Sequence, residues 1–265
     1  MSFKVADGEQ VLVYKDLGLV SQVFDEKTLE SMHGHVAIGH CRYSTTGAAS
    51  WDNAQPMFRP TTEGGSVVLG HNGNLVNTAE LAARARDEGL MSNRGAATAT
   101  TDSDILGALL AHGAADSSLE QAALELLPTV RGAFCLTFMD ENTLYAARDP
   151  HGVRPLSLGR LDRGWVVASE TAALDIVGAS FVRDIEPGEL LAIDADGVRS
   201  TRFANPTPKG CVFEYVYLAR PDSVIGGRSV HATRVEIGRR LAAENPVEAD
   251  LVIATPESGT PAAIG

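Results

Sequence analysis

The sequence predicts an α+β fold built in layers, and three observations lead there. Short β-type runs dominate the first two thirds of the chain, each bounded by Gly, Asp, Asn or Pro. The helical patterns follow one another mid-chain instead of alternating with strands, which argues against a regular βαβ order. The segments Ala133 to Met139 and Thr143 to Arg148, joined by Asp140-Glu141-Asn142, read as a β-hairpin apolar enough for burial on both faces, as inside a layered sandwich.

In chain order, strands are expected at Gln10 to Lys15, His35 to Cys41 and Ser66 to Leu69. Asn77 followed by Glu80 has capping-box spacing ahead of Leu81, Ala82 and Ala85, so a helix should start there. The stretch Asn93 to Thr101, rich in Gly, Ala and Thr, reads as an exposed loop, and further helices should begin at Asp102 and near Ser117. Strands then follow at Gly132 to Met139, Thr143 to Ala147, Trp165 to Ala168 and Glu189 to Ile193. At Asn205-Pro206-Thr207-Pro208-Lys209-Gly210 the two prolines remove backbone donors and disfavour both helix and central strand, which marks a domain boundary. Beyond it, an apolar aromatic strand from Cys211 to Leu218, a helix from about Ser229 carrying Val230, Arg234, Ile237 and Leu241, and a strand at Leu251 to Ala254 suit the opening of an α/β domain. The expected domains are 1–205 and 206–265, the second incomplete at Gly265, in keeping with the roughly 1.8 domains that the length implies.

Lys plus Arg number 22 against 34 Asp plus Glu, a net charge of −12 that would repel a phosphate backbone, so nucleic acid is not an expected partner. Hydrophobic residues at 44% and charged residues at 21% are those of a globular chain able to bury a core. No window approaches a membrane span or a leader's apolar region, which removes membrane roles from expectation. Three scattered cysteines, Cys41, Cys135 and Cys211, argue against a disulfide framework and for a cytoplasmic protein.

Three polar stretches carry the chemistry. Gly39-His40-Cys41-Arg42-Tyr43-Ser44-Thr45-Thr46-Gly47 ends a β-run in hydroxyls and a guanidinium whose planar fork can hold a carboxylate. Read alone, the motif favours a surface turn with Arg42 on a structural carboxylate. Gly70-His71-Asn72-Gly73-Asn74 sets a side-chain amide beside a glycine N–H, the parts of an oxyanion hole, although Asn-Gly is also a common tight-turn pair. In Thr101-Asp102-Ser103-Asp104 a carboxylate at a helix start could receive an ammonium group or serve only as an N-cap. Together they offer a cation for a carboxylate, an anion for an amine and donors for an oxyanion, a set that fits an α-amino acid with a side-chain amide.

On these residues the run from Val11 to Thr201 resembles the class II glutamine amidotransferase domain, with GHCRYSTTG, HNGNL and TDSDIL as its landmarks in order. The flanking stretches Lys15 to Val20, Arg148 to Leu156 and Cys211 to Ser223 resemble the amidophosphoribosyltransferase family. The resemblance implies an N-terminal-nucleophile hydrolase αββα sandwich followed by the first part of an α/β phosphoribosyltransferase domain. It implies that Arg42 and Thr45 hold the α-carboxylate region of glutamine, that Asp102 holds its α-amine, and that Asn72 and the Gly73 N–H form the oxyanion hole. Ammonia released from glutamine would then displace pyrophosphate from phosphoribosyl pyrophosphate to give 5-phosphoribosylamine, the committed step of purine biosynthesis. For the full-length enzyme it also implies magnesium, a homo-oligomer and, in the iron-sulfur branch, a 4Fe-4S cluster with Cys211 as one of four thiolate ligands. The bland alternative for Cys211, and the sole reading of Cys135, is a buried cysteine acting as a small hydrophobe.

The family's nucleophile is an N-terminal cysteine whose own amine serves as base, whereas this sequence opens Met1-Ser2. The expectation is therefore a chain lacking the family's first strand and nucleophile, unable by itself to hydrolyse glutamine, with an exposed sheet edge and low solubility. Family spacing sets Ser2 well past the nucleophile position, and strand alternation should turn Cys41 away from a pocket-facing Arg42. Two other readings stay open: a glutamine-binding pseudo-enzyme, and an amidotransferase with another acceptor such as a sugar phosphate.

Overall fold

The computed structural model describes residues 2–8, 11–42, 51–62, 64–90 and 101–265. In chain order its elements are β1 (Ser2–Ala6), β2 (Val11–Lys15), α1 (Val20–Val23), α2 (Glu26–Glu30), β3 (Val36–His40), β4 (Met57–Pro60), β5 (Ser66–Leu75), α3 (Thr78–Asp87), α4 (Asp102–Asp116) and α5 (Leu119–Leu126). There follow β6 (Gly132–Met139), β7 (Leu144–Arg148), β8 (Ser157–Leu161), β9 (Gly164–Ala168), α6 (Thr171–Ile176), β10 (Ser180–Asp184), β11 (Glu189–Asp194), β12 (Gly197–Arg202), β13 (Val224–Ile225), β14 (Arg228–Ser229), α7 (Val230–Glu244) and α8 (Gly259–Ile264). Two compact units result, Met1–His151 with Glu186–Thr207, and Gly152–Ile185 with Pro208–Gly265.

The first unit is a stack of layers. A six-stranded antiparallel sheet has the order β12-β11-β7-β6-β5-β4, and a three-stranded sheet the order β2-β1-β3. Side chains alternate along β5, so Val67, Leu69 and Leu75 join the apolar face of α3, α4 and α5, while Val68 meets Ala6, Val36, Ile38 and Met139 between the sheets. The hairpin read from sequence as buried on both faces is β6–β7, the centre of this arrangement.

Local signals explain the helix starts, with two corrections. Helix α4 begins after Thr101, whose hydroxyl accepts the Asp104 N–H at 3.3 Å, so Asp102 is the first helical residue and not the cap. Asn77 does precede α3, yet its side chain makes no capping bond. It is buried and bridges elsewhere, donating to the Thr129 carbonyl at 3.0 Å and accepting the Arg131 N–H at 2.9 Å, while Glu80 pairs with the Arg131 guanidinium. Tying the helix start to the turn before β6 satisfies two backbone groups of that turn and the buried amide itself, a better use of the amide than a local cap.

Sequence reading gave no role to Lys4, which lies in β1 with 1% exposure and sets its ammonium 4.8 Å from the centre of the Phe58 ring. Burial, aided by the charge of Lys15, pushes its pKa down to about 7. Because the folded value lies below the ordinary 10.5, the unfolded chain binds more protons between the two, and this lysine makes stability rise with pH across that window. Lys4→Met should remove that slope and raise stability at pH 6 by about 2 kcal/mol, as read by urea unfolding at pH 6 and pH 9. An unchanged pH slope would show that Lys4 is not buried as a strained amine.

In the second unit the sheet order is β10-β8-β9. Arg234 of α7 is buried and donates to the carbonyls of Tyr215 and Ala219 at 2.7 and 2.8 Å. Arg154 pairs with the buried Glu214 at 2.7 Å, although burial still raises the Glu214 carboxyl above its ordinary value. Two expected strands are corrected here. Within Cys211 to Leu218 the chain forms a wide helical turn, Glu214–Leu218, seated by Arg234. Residues 251–254 pair with no described strand, and Leu251, Val252 and Ile253 are exposed. An apolar β-branched run becomes a strand only where a neighbour supplies its hydrogen bonds. Among the described residues no helix is long and apolar enough to cross a membrane.

Candidate functional site

The site is built on the end of β5. Expected as a strand from Ser66 to Leu69, with a tight turn left open as the other reading of Asn72-Gly73, β5 instead runs on through both residues, which pair with Cys135 and Phe134 of β6 in unbroken register. Phe134 exchanges both of its backbone bonds on the far side, its carbonyl accepting the Asp149 N–H at 2.9 Å and its N–H donating to the Asp149 carboxylate at 3.2 Å. In an antiparallel ladder the N–H and C=O of one residue point the same way, so Gly73 faces away from β6, toward the open edge of β5. The neighbours on that edge agree. The His71 N–H donates to Gln55 Oε1 at 2.7 Å, the His71 carbonyl lies 3.1 Å from His40 Nε2, and the Leu75 N–H donates to Asp102 Oδ2 at 3.3 Å. The Gly73 N–H thus stands between a side-chain amide and a carboxylate.

Glycine is required here. Gly73 has φ +154°, and a Cβ on it would stand 2.0 Å from the Ala133 carbonyl oxygen. Alternation sets the half-buried Asn72 on the face of Val68 and Gly70, where a Cβ on Gly70 would touch His40 and Ile38 of β3. Strand β3 stops at His40, so Cys41 and Arg42 lie past its end, Cys41 exposed and Arg42 half-buried. That corrects the expectation that strand alternation divides the two. Thr45, the other residue expected to hold the carboxylate, falls outside the described residues, as does most of the loop expected at Asn93 to Thr101.

Asp102 accepts at both oxygens. Oδ1 takes the Ser103 N–H at 2.8 Å, and Oδ2 takes the Leu75 N–H and lies 3.6 Å from His71 Nδ1. Burial alone would raise its pKa, but the hydrogen bond and charge of His71 with the two backbone donors bring it below the ordinary 3.8, so the group is a carboxylate at neutral pH. His40 is shifted down by burial, against its bond to the His71 carbonyl and helped by the charges of His71 and Arg42. Its neutral ring donates from Nε2 to that carbonyl. Asp104, next along α4, is engaged by Arg59 of β4.

Sequence reasoning singled out Asn72, Gly73, Asp102 and Arg42, and β5 and the start of α4 bring Gly73 and Asp102 to one edge. It missed Gln55, which joins the His71 N–H to Ser103 Oγ, and gave no role to His40, His71 or Asp149. His40 stands inside GHCRYSTTG and His71 inside HNGNL, and that placement is their signal. Gln55 stands apart from every motif.

Residues 40–176 match the family model described as a glutamine amidotransferase domain. The chain belongs to that family. Amidophosphoribosyltransferases of Mycobacterium leprae (strain TN) and Mycobacterium tuberculosis (strain ATCC 25618 / H37Rv) are each 85% identical to this amidotransferase chain over 261 residues, 98% of its length and 47% and 50% of theirs. The solved glutamine phosphoribosylpyrophosphate amidotransferase of B. subtilis, complexed with ADP and GMP, matches it with a TM-score of 0.91 at 38% identity, over 99% of this chain and 56% of that one. The amidotransferase chain therefore spans about half the length of the relatives it matches. Its fold is the α+β, N-terminal-nucleophile hydrolase type expected from the motifs.

The residues present do not make up a four-thiolate cluster site. Of three cysteines, Cys135 is buried inside β6, Cys41 is exposed past β3, and Cys211 is half-buried ahead of the wide turn. Among the described residues no group of three or more His, Cys, Asp or Glu could hold a metal ion, magnesium included.

Proposed function

We propose that this chain is the glutamine-handling half of an amidophosphoribosyltransferase, the enzyme that uses glutamine-derived ammonia to displace pyrophosphate from phosphoribosyl pyrophosphate and so commits it to purine synthesis. The observation that carries this reading is the edge of β5, where the Gly73 N–H lies between Gln55 and Asp102. In it, Asp102 receives the substrate α-ammonium, Arg42 and Thr45 the α-carboxylate, and Asn72 with the Gly73 N–H stabilises the oxyanion formed when the side-chain amide is attacked. Residues 1–205 serve glutamine, and 206–265 open the phosphoribosyltransferase part, whose acceptor chemistry lies with the remaining half found in the relatives. Cys211 is the residue of this chain that would contribute to a cluster in a full-length enzyme, which would act as a homo-oligomer in the cytoplasm.

A splice tests the reading. This chain put in place of the stretch it matches in the M. tuberculosis relative, with that relative's residues before and after the stretch kept, should yield an enzyme that releases pyrophosphate with either glutamine or ammonia as nitrogen donor. Asp102→Ala in that enzyme should abolish the glutamine-dependent rate and leave the ammonia-dependent rate intact. Equal loss of both rates would reject Asp102 as part of the glutamine site.

A further inference from the structure

His71 is a buried polar side chain at this edge, and no step proposed above uses it. Its ring sits on the helix face of β5, with Nδ1 3.3 Å from Ser103 Oγ and 3.6 Å from Asp102 Oδ2. The opposite nitrogen, Nε2, is buried and meets no hydrogen-bond partner among the described residues. A bare lone pair there costs less than a buried, unmatched N–H, so the proton belongs on Nδ1, where Ser103 Oγ accepts it and Asp102 Oδ2 lies 3.6 Å away. Around it Gln55 closes a ring of contacts, donating to Ser103 Oγ at 2.9 Å while its carbonyl holds the His71 N–H. Ser103 Oγ lies 3.3 Å from the other oxygen of Asp102.

We propose that His71 is a positioning residue that orients the Asp102 carboxylate toward the substrate amine through an Nδ1–H that is given to Ser103 Oγ, 3.3 Å from Asp102 Oδ1, and stands 3.6 Å from Asp102 Oδ2, with Gln55 holding the His71 backbone and the Ser103 hydroxyl. The proposal rests on the reading of Asp102 as the amine receptor. A positioned carboxylate presents a lone pair along the direction of the incoming ammonium, whereas one free to rotate must be ordered on binding. His71 touches no substrate atom itself.

Replacement by amides separates this role from mere filling of space, because an Asn amide nitrogen overlays imidazole Nδ1 and a Gln amide nitrogen overlays Nε2. In calorimetry on this chain, His71→Asn should bind L-glutamine within about threefold of the unaltered protein, and His71→Gln should bind it about tenfold more weakly. Neither should change affinity for 4-carbamoylbutanoate, which is glutamine without its α-amine. Equal affinity of the unaltered chain for the two ligands, or no binding of either, would overturn Asp102 as amine receptor and the proposal with it. Discrimination between the ligands that survives in both variants would overturn the role of His71 alone. Should either variant fail to fold, long-range 15N–1H correlation of the His71 ring in the unaltered chain decides: a proton on Nδ1 supports the role, and a proton on Nε2 overturns it.

Discussion

Gly73→Ala should cost about 4 kcal/mol of folding stability, the sum of a side chain at positive φ and a clash with rigid backbone. For a chain of this size that corresponds to a fall of roughly 8 to 16 °C in Tm, readable by calorimetry. The effect has a definite source. The added Cβ would stand 2.0 Å from the Ala133 oxygen and 2.8 Å from the Ala133 carbonyl carbon, and Asp149 holds that same peptide from behind through the Phe134 N–H. Neither side can yield without opening the β5–β6 ladder. A fall of less than 2 °C would mean that the ladder is looser at this point than the register shows, and that the N–H beside Asp102 is not held in place.

Asp102→Asn should weaken L-glutamine binding about 100-fold, since an amide has no charge to set against the α-ammonium and its NH2 must face one of the Leu75 and Ser103 N–H groups that now give to the two carboxylate oxygens. Stability carries a second signature. The folded pKa of Asp102 lies below its ordinary value, so its contribution is present above pH 3.8 and is lost as pH falls through the lower folded value. The stability gap between the unaltered chain and Asp102→Asn should therefore be widest near neutral pH and close on acidification. A gap that grew toward low pH would mean that the carboxyl is favoured in its neutral form.

The elements that could be read from sequence are those whose pattern and surroundings agree. β6 occupies the span expected of it because its run from Gly132 to Met139 is apolar but for Thr137 and packs between layers. Helix α4 and the start of α7 follow from Thr101 and Ser229, hydroxyl caps that accept the N–H three residues on. Strands β10 and β12 escaped notice since Ser180–Asp184 and Gly197–Arg202 mix charged and polar residues, as exposed edge strands do. The reverse error fell on the apolar runs at 211–218 and 251–254, because hydrophobicity marks a surface to be covered and not the strand that would cover it.

The site divides in the same way. Asn72, Gly73 and Asp102 were legible as donor and acceptor types within short motifs. The extension of β5 through Asn-Gly was not, because that pair also makes turns, and here the close approach of Ala133 makes a strand residue of Gly73. Gln55, 16 residues from His71 and 48 from Ser103, reaches the cluster only after the sheet has formed. Nothing local to Gln55 announces that role.

Binding of glutamine along the open edge of β5 can be followed by an amide-by-amide titration of the 15N-labelled chain with L-glutamine. The Gly73 and Leu75 resonances should shift and saturate together, with Val68, deep between the sheets, unmoved. Saturable shifts elsewhere that leave Gly73 and Leu75 unchanged would contradict binding at this edge.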